Sequence, residues 1–357
     1  MKPKTQHFHS LDTLRGVACV LIAIYHMTNM RWKFGGHVLV DLFLVLSGFV
    51  LAHSYLYGPS VVGKREFLVR RFARMWPLHV FTLFFTFGVV SYGLNGLFFT
   101  PPGSGVHNNW LTLFEHLTMT HNLGFPPNGK FVSSWNFPSW SISVEFWVNV
   151  LFILTTTRKT PSWRFLLLSV VCLGIVMRGW GTLATFNENY LGYFNSGLMR
   201  GLASFFLGVV SYRLFLRYRH IELGPKTALG LEVGSIALTV FFLYIGIWGY
   251  PLWEFLAPYF FMFMIALFAM HQGALSQASV RLRYVGVISY SIYLNHIAVM
   301  IFINHRVVTS WLPREWIIPF GVVILLIFSH FTYKYIERPS QRFILRKWLP
   351  PREQTVG

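Results

Sequence analysis

The stretch "LDTLRGVACVLIAIYHM", residues 11–27, decides the fold class, because it is long and apolar enough to begin a membrane-spanning helix. Crossing the hydrocarbon core takes about 20 mostly apolar residues. Two ionisable residues, Arg15 and His26, interrupt its apolar character. Eleven residues apart on a helix, they lie within about 20° of one face and roughly 16 Å apart along the axis. Ionisable groups at membrane depth usually face the protein interior and are functional.

The composition indicates a membrane protein. The 357 residues are 54% hydrophobic and only 12% charged, whereas soluble domains are about 25% charged. Apolar runs recur along the chain, which predicts an all-α polytopic bundle and one membrane-embedded domain over 1–357, with no fused soluble domain. The ten predicted spans are 11–30, 37–57, 76–98, 141–157, 164–184, 196–216, 228–248, 252–271, 286–305 and 316–336.

The charge distribution predicts the orientation. The net charge is +18, and most Lys and Arg outside the spans fall on the side of the N-terminus when the loops are assigned alternately. The positive-inside rule then places both termini in the cytoplasm. The membrane topology explains the excess of Lys and Arg over Asp and Glu, so no nucleic-acid partner is expected. Cys19 and Cys172 lie in apolar segments and are interpreted as packing residues, and no metal site is expected.

Several other spans carry polar groups at membrane depth. Such groups must find partners inside the bundle or line a polar cavity. The residues concerned are Asp41, Ser141, Glu145, Arg200, Tyr290 and His296. For Arg15 the alternative is an ordinary ion pair with Asp12 three residues earlier. The Gly- and Pro-rich connection 101–140 is too long for a simple turn and is expected to fold over or into the external mouth of the bundle.

A second cluster, "RRFARMWPLH" (residues 70–79), places Arg71 and Arg74 on one face where the third helix is expected to begin. Arg70 lies beside them. One interpretation is cytoplasmic anchoring of the helix. The other is a guanidinium fork for a phosphate-bearing ligand, because arginine suits bidentate phosphate recognition.

These motifs, in this order along the chain, resemble those of the acyltransferase-3 family of integral-membrane acyltransferases. Each motif alone is weak, but six ordered matches are specific. They are Arg15 with His26 in the first helix, "DLFLVLSGF" (41–49), Arg71 with Arg74 and Pro77, "WSISVE" (140–145), "SYSIYLNH" (289–296) and "IERP" (336–339).

The resemblance implies transfer of an acyl group, most often acetyl from acetyl-CoA as co-substrate, onto a hydroxyl of a cell-surface or lipid-linked glycan, at the bacterial inner membrane. It implies His26 as general base, with Glu145 fixing its tautomer and Arg15 lining the donor entrance. The donor phosphates would meet Arg71 and Arg74, with Arg70 beside them. Candidates for contacting substrate or the oxyanion are Asp41, Ser141, Arg200, Tyr290 and His296.

Three alternatives remain open from the sequence. The acyl group could be another one, such as succinyl, and the acceptor need not be a glycan. A proton-coupled secondary transporter would also bury Asp, Glu, His and Arg, although the two halves show no inverted repeat. P-loop, HExxH, G-x-S-x-G and Cys-x-x-Cys patterns are absent from the sequence, which disfavours ATPase, zinc and hydrolase functions.

Overall fold

The computed structural model describes residues 7–28, 34–58, 62–93, 110–124, 135–248 and 251–350. Most of this part is helical, and its two short strands, Asn189–Tyr190 and Phe194–Asn195, pair antiparallel. The helices are α1 (His9–Met27), α2 (Leu39–Leu51), α3 (Lys64–Gly93), α4 (Trp110–Leu117), α5 (Trp140–Thr155), α6 (Ser162–Trp180), α7 (Ser196–Tyr218), α8 (Pro225–Trp248), α9 (Pro251–Glu254), α10 (Ala257–Met270), α11 (Ala274–Ser279), α12 (Arg283–Val287), α13 (Ser289–Ile303), α14 (Arg306–Trp311), α15 (Ile317–Thr332) and α16 (Arg338–Trp348).

The helices are long and apolar enough for a polytopic membrane bundle. Nine helical segments in the described part pass this test, and a bent pair, Ala274–Val287 with Ser289–Ile303, makes up to ten. The predicted all-α membrane bundle of about ten spans is therefore confirmed. The placement of both termini in the cytoplasm stays a prediction.

Helix α7 lies at the centre of the bundle and packs against α2, α5, α6 and α10. At its crossing with α2, a Cβ added to Gly208 would lie 2.0 Å from the Val45 carbonyl oxygen. Glycine lets the two backbones approach this closely, as small residues do at helix crossings in membranes. The close crossing fixes α2 against α7 and sets the depth of the polar residues that both helices carry.

Helix α1 packs along α12 and α13, and the chain bends by 58° between these two helices. A Cβ added to Gly286 would lie 2.0 Å from the Asp12 carbonyl oxygen, so glycine is required where α12 meets α1. Arg15 donates to the Gly286 carbonyl and His26 contacts His296 on α13. Both residues therefore face the same neighbouring helices, as their spacing predicts.

The third span differs from its prediction. The helix begins at Lys64 and not at residue 76, so Arg71 and Arg74 lie well inside it and Pro77 is internal. Three basic residues of this stretch have carboxylate partners: Arg70 pairs with Glu66, Arg71 with Glu145 and Arg74 with Glu337. The first of these pairs, one helical turn apart, stabilises the helix itself. Residues 94–98 of the predicted span lie outside the described part.

The described parts of the 101–140 connection pack against α3 and α5, and their position at the external mouth of the bundle stays a prediction. Trp76 of α3 donates to the Leu117 carbonyl, and Ser143 and Trp147 of α5 donate to the Met119 carbonyl. Residues 101–109 and 125–134 lie outside the described residues.

Candidate active site

A cavity of about 140 Å³ lies between α1, α2, α3, α5 and α13. Arg15, Arg71 and Arg74 line one part of it, which we call the arginine end. Ser141 and Tyr293 line the other part of the cavity, away from the arginine end, and their hydroxyl oxygens lie 2.8 Å apart. The cavity therefore runs from a cationic end to a polar, uncharged end.

Each guanidinium at the arginine end contacts a carboxylate. Arg15 donates to Asp12 at 3.0 Å, Arg71 contacts Glu145 at 3.4 Å, and Arg74 pairs with a carboxylate in the turn directly before α16. The three arginine side chains keep 34%, 18% and 27% of their surface exposed. They are thus held in place while still facing open space, and the Arg71–Glu145 contact is long for a charge-assisted hydrogen bond.

The partner of Arg74 is Glu337, which the candidate residues did not include. Glu337 is 2% exposed and ends a π-helical turn, Tyr333–Glu337. It also accepts a hydrogen bond from Ser291 at 2.7 Å. The "IERP" motif was the sequence signal for this residue. Its partner could not be read from the sequence, because 263 residues separate it from Arg74.

Glu145 does not contact His26. It accepts a hydrogen bond from Ser47 at 2.6 Å and lies at the arginine end with Arg71. The cause is depth: Phe137 contacts the His26 ring, and Glu145 lies eight residues further along, roughly 12 Å deeper. The expectation that Glu145 fixes the tautomer of His26 is therefore not met in this structure.

Arg70 lies apart from the cavity lining. Its guanidinium donates to Glu66 one turn earlier, at 2.8 Å and 2.6 Å. Tyr290 lines the cavity, donates to the Met75 carbonyl at 2.5 Å and lies under the Arg74 guanidinium. The structure thus brings Tyr290 to the arginine end and leaves Arg70 outside.

His26 and His296 form what we call the histidine end. Nδ1 of His26 lies 3.1 Å from Nε2 of His296, and the rings stack with centroids 4.9 Å apart. His296 is 1% exposed, whereas His26 is only partly buried. Neither lines the cavity, but the Tyr293 ring lies 5.6 Å from the His296 ring. Tyr293 therefore separates the histidines from the cavity.

Asp41 and Arg200 contact each other outside the cavity lining. Their side chains are 0% and 1% exposed and lie 2.6 Å apart. Ser204 donates to the carboxylate, and the guanidinium also donates to the carbonyls of Thr185 and His37. This ion pair is almost fully hydrogen-bonded, and it joins α2 to α7.

Two histidines of the 101–140 connection, His116 and His121, stack with ring centroids 3.9 Å apart, and His121 stacks on His79 of α3. Burial lowers the pKa of His116 to about 3 and the pKa of His121 well below its ordinary value. Both imidazoles are therefore neutral at pH 7.

Near the start of α1, His7, His9 and Asp12 offer ligand atoms within 4.8 Å of one another. Within the described residues this is the group that could hold a metal ion. Asp12 already pairs with Arg15, so a metal ion there would compete with the guanidinium.

Comparison with known proteins gives a family. The sequence model of the family described as "Acyltransferase domain" matches residues 8–333. The peptidoglycan O-acetyltransferase OatA of Listeria monocytogenes is 25% identical over 367 residues, covering 93% of this chain and 56% of that protein. The O-acetyltransferase OatA of Staphylococcus aureus is 23% identical over 370 residues, covering 94% of this chain and 58% of that protein. The chain thus spans less than six-tenths of these curated relatives, and no solved structure matches it.

Proposed function

The chain belongs to the acyltransferase-3 family, and from that premise we propose that it transfers acetyl from acetyl-CoA onto a hydroxyl of a cell-surface or exported glycan. The observation that carries this proposal is the cavity, which joins three guanidinium groups to a polar end where the Tyr293 ring lies 5.6 Å from the ring of His296, the partner of His26. The names of the relatives support the acetyl group, and the peptidoglycan enzyme supports a glycan acceptor.

The arginine end is suited to the phosphates of coenzyme A. Guanidinium groups bind phosphate through paired, charge-assisted hydrogen bonds. A donor phosphate would replace Glu145 on Arg71, because that contact is long at 3.4 Å and partly exposed. The buried carboxylate of Glu337 would keep Arg74 oriented meanwhile. The pantetheine arm would then extend along the cavity toward Tyr293.

His26 is the proposed general base. A thioester is already activated, so the enzyme must deprotonate the acceptor hydroxyl and stabilise the transient oxyanion. The acceptor oxygen attacks the acetyl carbonyl as His26 takes the hydroxyl proton. The carbon–sulfur bond then breaks, and the proton passes from His26 to the coenzyme A thiolate. Tyr293 lines the cavity, and its hydroxyl, which accepts a hydrogen bond from Ser141, would donate to the oxyanion.

This chemistry sets an orientation in the bacterial inner membrane. Acetyl-CoA is cytoplasmic, so the arginine end would face the cytoplasm, in agreement with the positive-inside count. The acceptor, a glycan or a lipid-linked glycan, would approach the histidine end from outside. Mass, charge and protons balance without a metal or a redox cofactor.

The test compares surface glycans by mass spectrometry in cells that have the protein, lack it, or carry His26→Ala. We expect O-acetyl groups only with the wild-type protein, because loss of a general base removes about 10²–10⁴-fold of rate. His330→Ala is the matched control, since that histidine lies at an exposed contact with Tyr284. Wild-type acetylation in the His26→Ala cells would contradict the mechanism, and acetylation that does not depend on the protein would contradict the function.

A further inference from the structure

The hydrogen bond between His26 and His296 has an identifiable donor and acceptor. Nδ1 of His296 lies 2.5 Å from the carbonyl oxygen of Tyr293, and a carbonyl can only accept a hydrogen bond. That nitrogen must therefore carry the proton. A neutral imidazole has one N–H, so Nε2 of His296 is left as an acceptor.

The acceptor nitrogen of His296 lies 3.1 Å from Nδ1 of His26, so Nδ1 of His26 must donate. The hydrogen bond to His296 therefore favours the tautomer of His26 with hydrogen on Nδ1.

Burial separates the roles of the two rings. His296 is 1% exposed and both of its nitrogens are hydrogen-bonded, so it has no atom left for a substrate or an oxyanion, the role expected for it from the sequence. His26 is partly exposed, and in the Nδ1–H tautomer its Nε2 has a free lone pair.

We infer that His296 is a positioning residue that holds His26 in the Nδ1–H tautomer and leaves Nε2 as the base for the acceptor hydroxyl, a role that rests on the proposed acyl transfer. When Nε2 takes the hydroxyl proton, the Nδ1–H bond to His296 becomes charge-assisted and therefore stronger. The imidazolium is thereby stabilised until its proton passes to the coenzyme A thiolate. His296 takes the place that a carboxylate holds in a Ser-His-Asp triad.

The first experiment reads the tautomer without any acyl transfer. Nitrogen-15 spectra of the histidine-labelled protein at pH 8, with a His26→Gln variant to identify the His26 signals, should show hydrogen on Nδ1 of His26. In His296→Leu the two tautomers should be mixed. Hydrogen on Nε2 of His26 in the wild-type protein would overturn the inference, whatever the fate of the proposed reaction.

The second experiment measures kinetics with acetyl-CoA and an acceptor glycan. His296→Leu should lower kcat by about 10- to 100-fold, with an unchanged KM for acetyl-CoA. This is the range seen in metalloenzymes when the residue that orients a metal-bound histidine is removed. In His296→Gln the amide oxygen can accept the same hydrogen bond, so part of kcat should return. Equal kcat values in the Leu and Gln variants, or wild-type kcat in the Leu variant, would overturn the positioning role.

The two proposals fail in different ways. If His26→Ala transfers acetyl as fast as the wild-type protein, the mechanism of acyl transfer is wrong, while the tautomer spectrum still decides the geometry. If His26→Ala is inactive and His296→Leu is fully active, the base stands and its positioning by His296 is wrong.

Discussion

Arg200 and Arg71 each face a carboxylate from another helix, yet their surroundings differ. Arg200 and Asp41 are 1% and 0% exposed, and backbone carbonyls and a serine supply most of their other hydrogen bonds. Arg71 and Glu145 are 18% and 23% exposed, lie 3.4 Å apart and line a cavity. An enclosed pair with nearly all of its hydrogen bonds made leaves no room for a ligand. A loose pair facing a cavity can exchange its carboxylate for a phosphate. The sequence placed Asp41, Arg200 and Glu145 at membrane depth and Arg71 at the start of the third helix, and burial separates the two pairs in the structure.

The largest effect should follow from breaking the enclosed pair. Asp41→Asn leaves Arg200 buried without its counter-charge, which should lower the free energy of unfolding by about 3–5 kcal/mol. Unfolding of the detergent-solubilised protein measures this. Replacing both residues together, Asp41→Leu with Arg200→Met, should restore most of the stability. Unchanged stability combined with weaker acetyl-CoA binding in Asp41→Asn would instead place this pair in the donor site.

At the cavity, Arg71→Ala should weaken acetyl-CoA binding more than it weakens folding. A charge-assisted hydrogen bond contributes about 1.5–3 kcal/mol, which is roughly 10- to 150-fold in Kd. Lys should restore part of the affinity, since it lacks the planar fork. Arg74→Ala should lose similar affinity but also stability, because it leaves Glu337 buried.

Calorimetric titration of acetyl-CoA measures both variants. Arg70→Ala is the matched control, because Arg70 belongs to the same helix and pairs with Glu66 away from the cavity. Unchanged affinity in both Arg71→Ala and Arg74→Ala, or an equal loss in Arg70→Ala, would rule out the arginine end as the donor site.

His116 and His121 are buried like Arg200 and Asp41, but they are neutral. The pKa values of His116 and His121 are lowered by burial, so below about pH 6.5 the unfolded state binds protons that the folded state does not. Stability should therefore fall as the pH falls, by about 1 kcal/mol per histidine at pH 5.5. Unfolding measured from pH 7.5 to 5.5 tests this. A double His116→Gln, His121→Gln variant should be less sensitive to acid, and an equally steep decline in that variant would contradict the account.

The smallest effect should come from salt, which should weaken the arginine end more than the buried pair of Asp41 and Arg200. At about 0.15 M salt the screening length is about 8 Å, and exposed charges are screened far more than buried ones. Acetyl-CoA affinity should therefore fall several-fold between low and high salt, while the stability contributed by Asp41 and Arg200 stays constant. A double-mutant cycle of that pair at both salt concentrations provides the control, and salt-independent acetyl-CoA binding would contradict an arginine-based donor site.

Local sequence features predicted the helices better than they predicted partners. Apolar runs indicated the membrane bundle, and the eleven-residue spacing placed Arg15 and His26 on one face correctly. The contacts of Glu145 and His296 depend on the relative depth of helices that lie far apart in sequence. Charges also hid the true start of α3, because the carboxylate partners of Arg71 and Arg74 lie on α5 and in the turn before α16. Long-range pairing of this kind is not encoded in local periodicity.

The central claim is that acetyl-CoA binds at the arginine end, on the cytoplasmic face, while the acceptor meets His26 on the other side. Sealed inside-out vesicles test it most directly. Their orientation can be checked by labelling Tyr193→Cys, an exposed position beyond α6, in a background without Cys19 and Cys172. We predict that these vesicles consume externally added acetyl-CoA and release free coenzyme A on the same face, and that His26→Ala vesicles do not. Consumption of acetyl-CoA only by right-side-out vesicles would contradict the account, even if His26 proves essential.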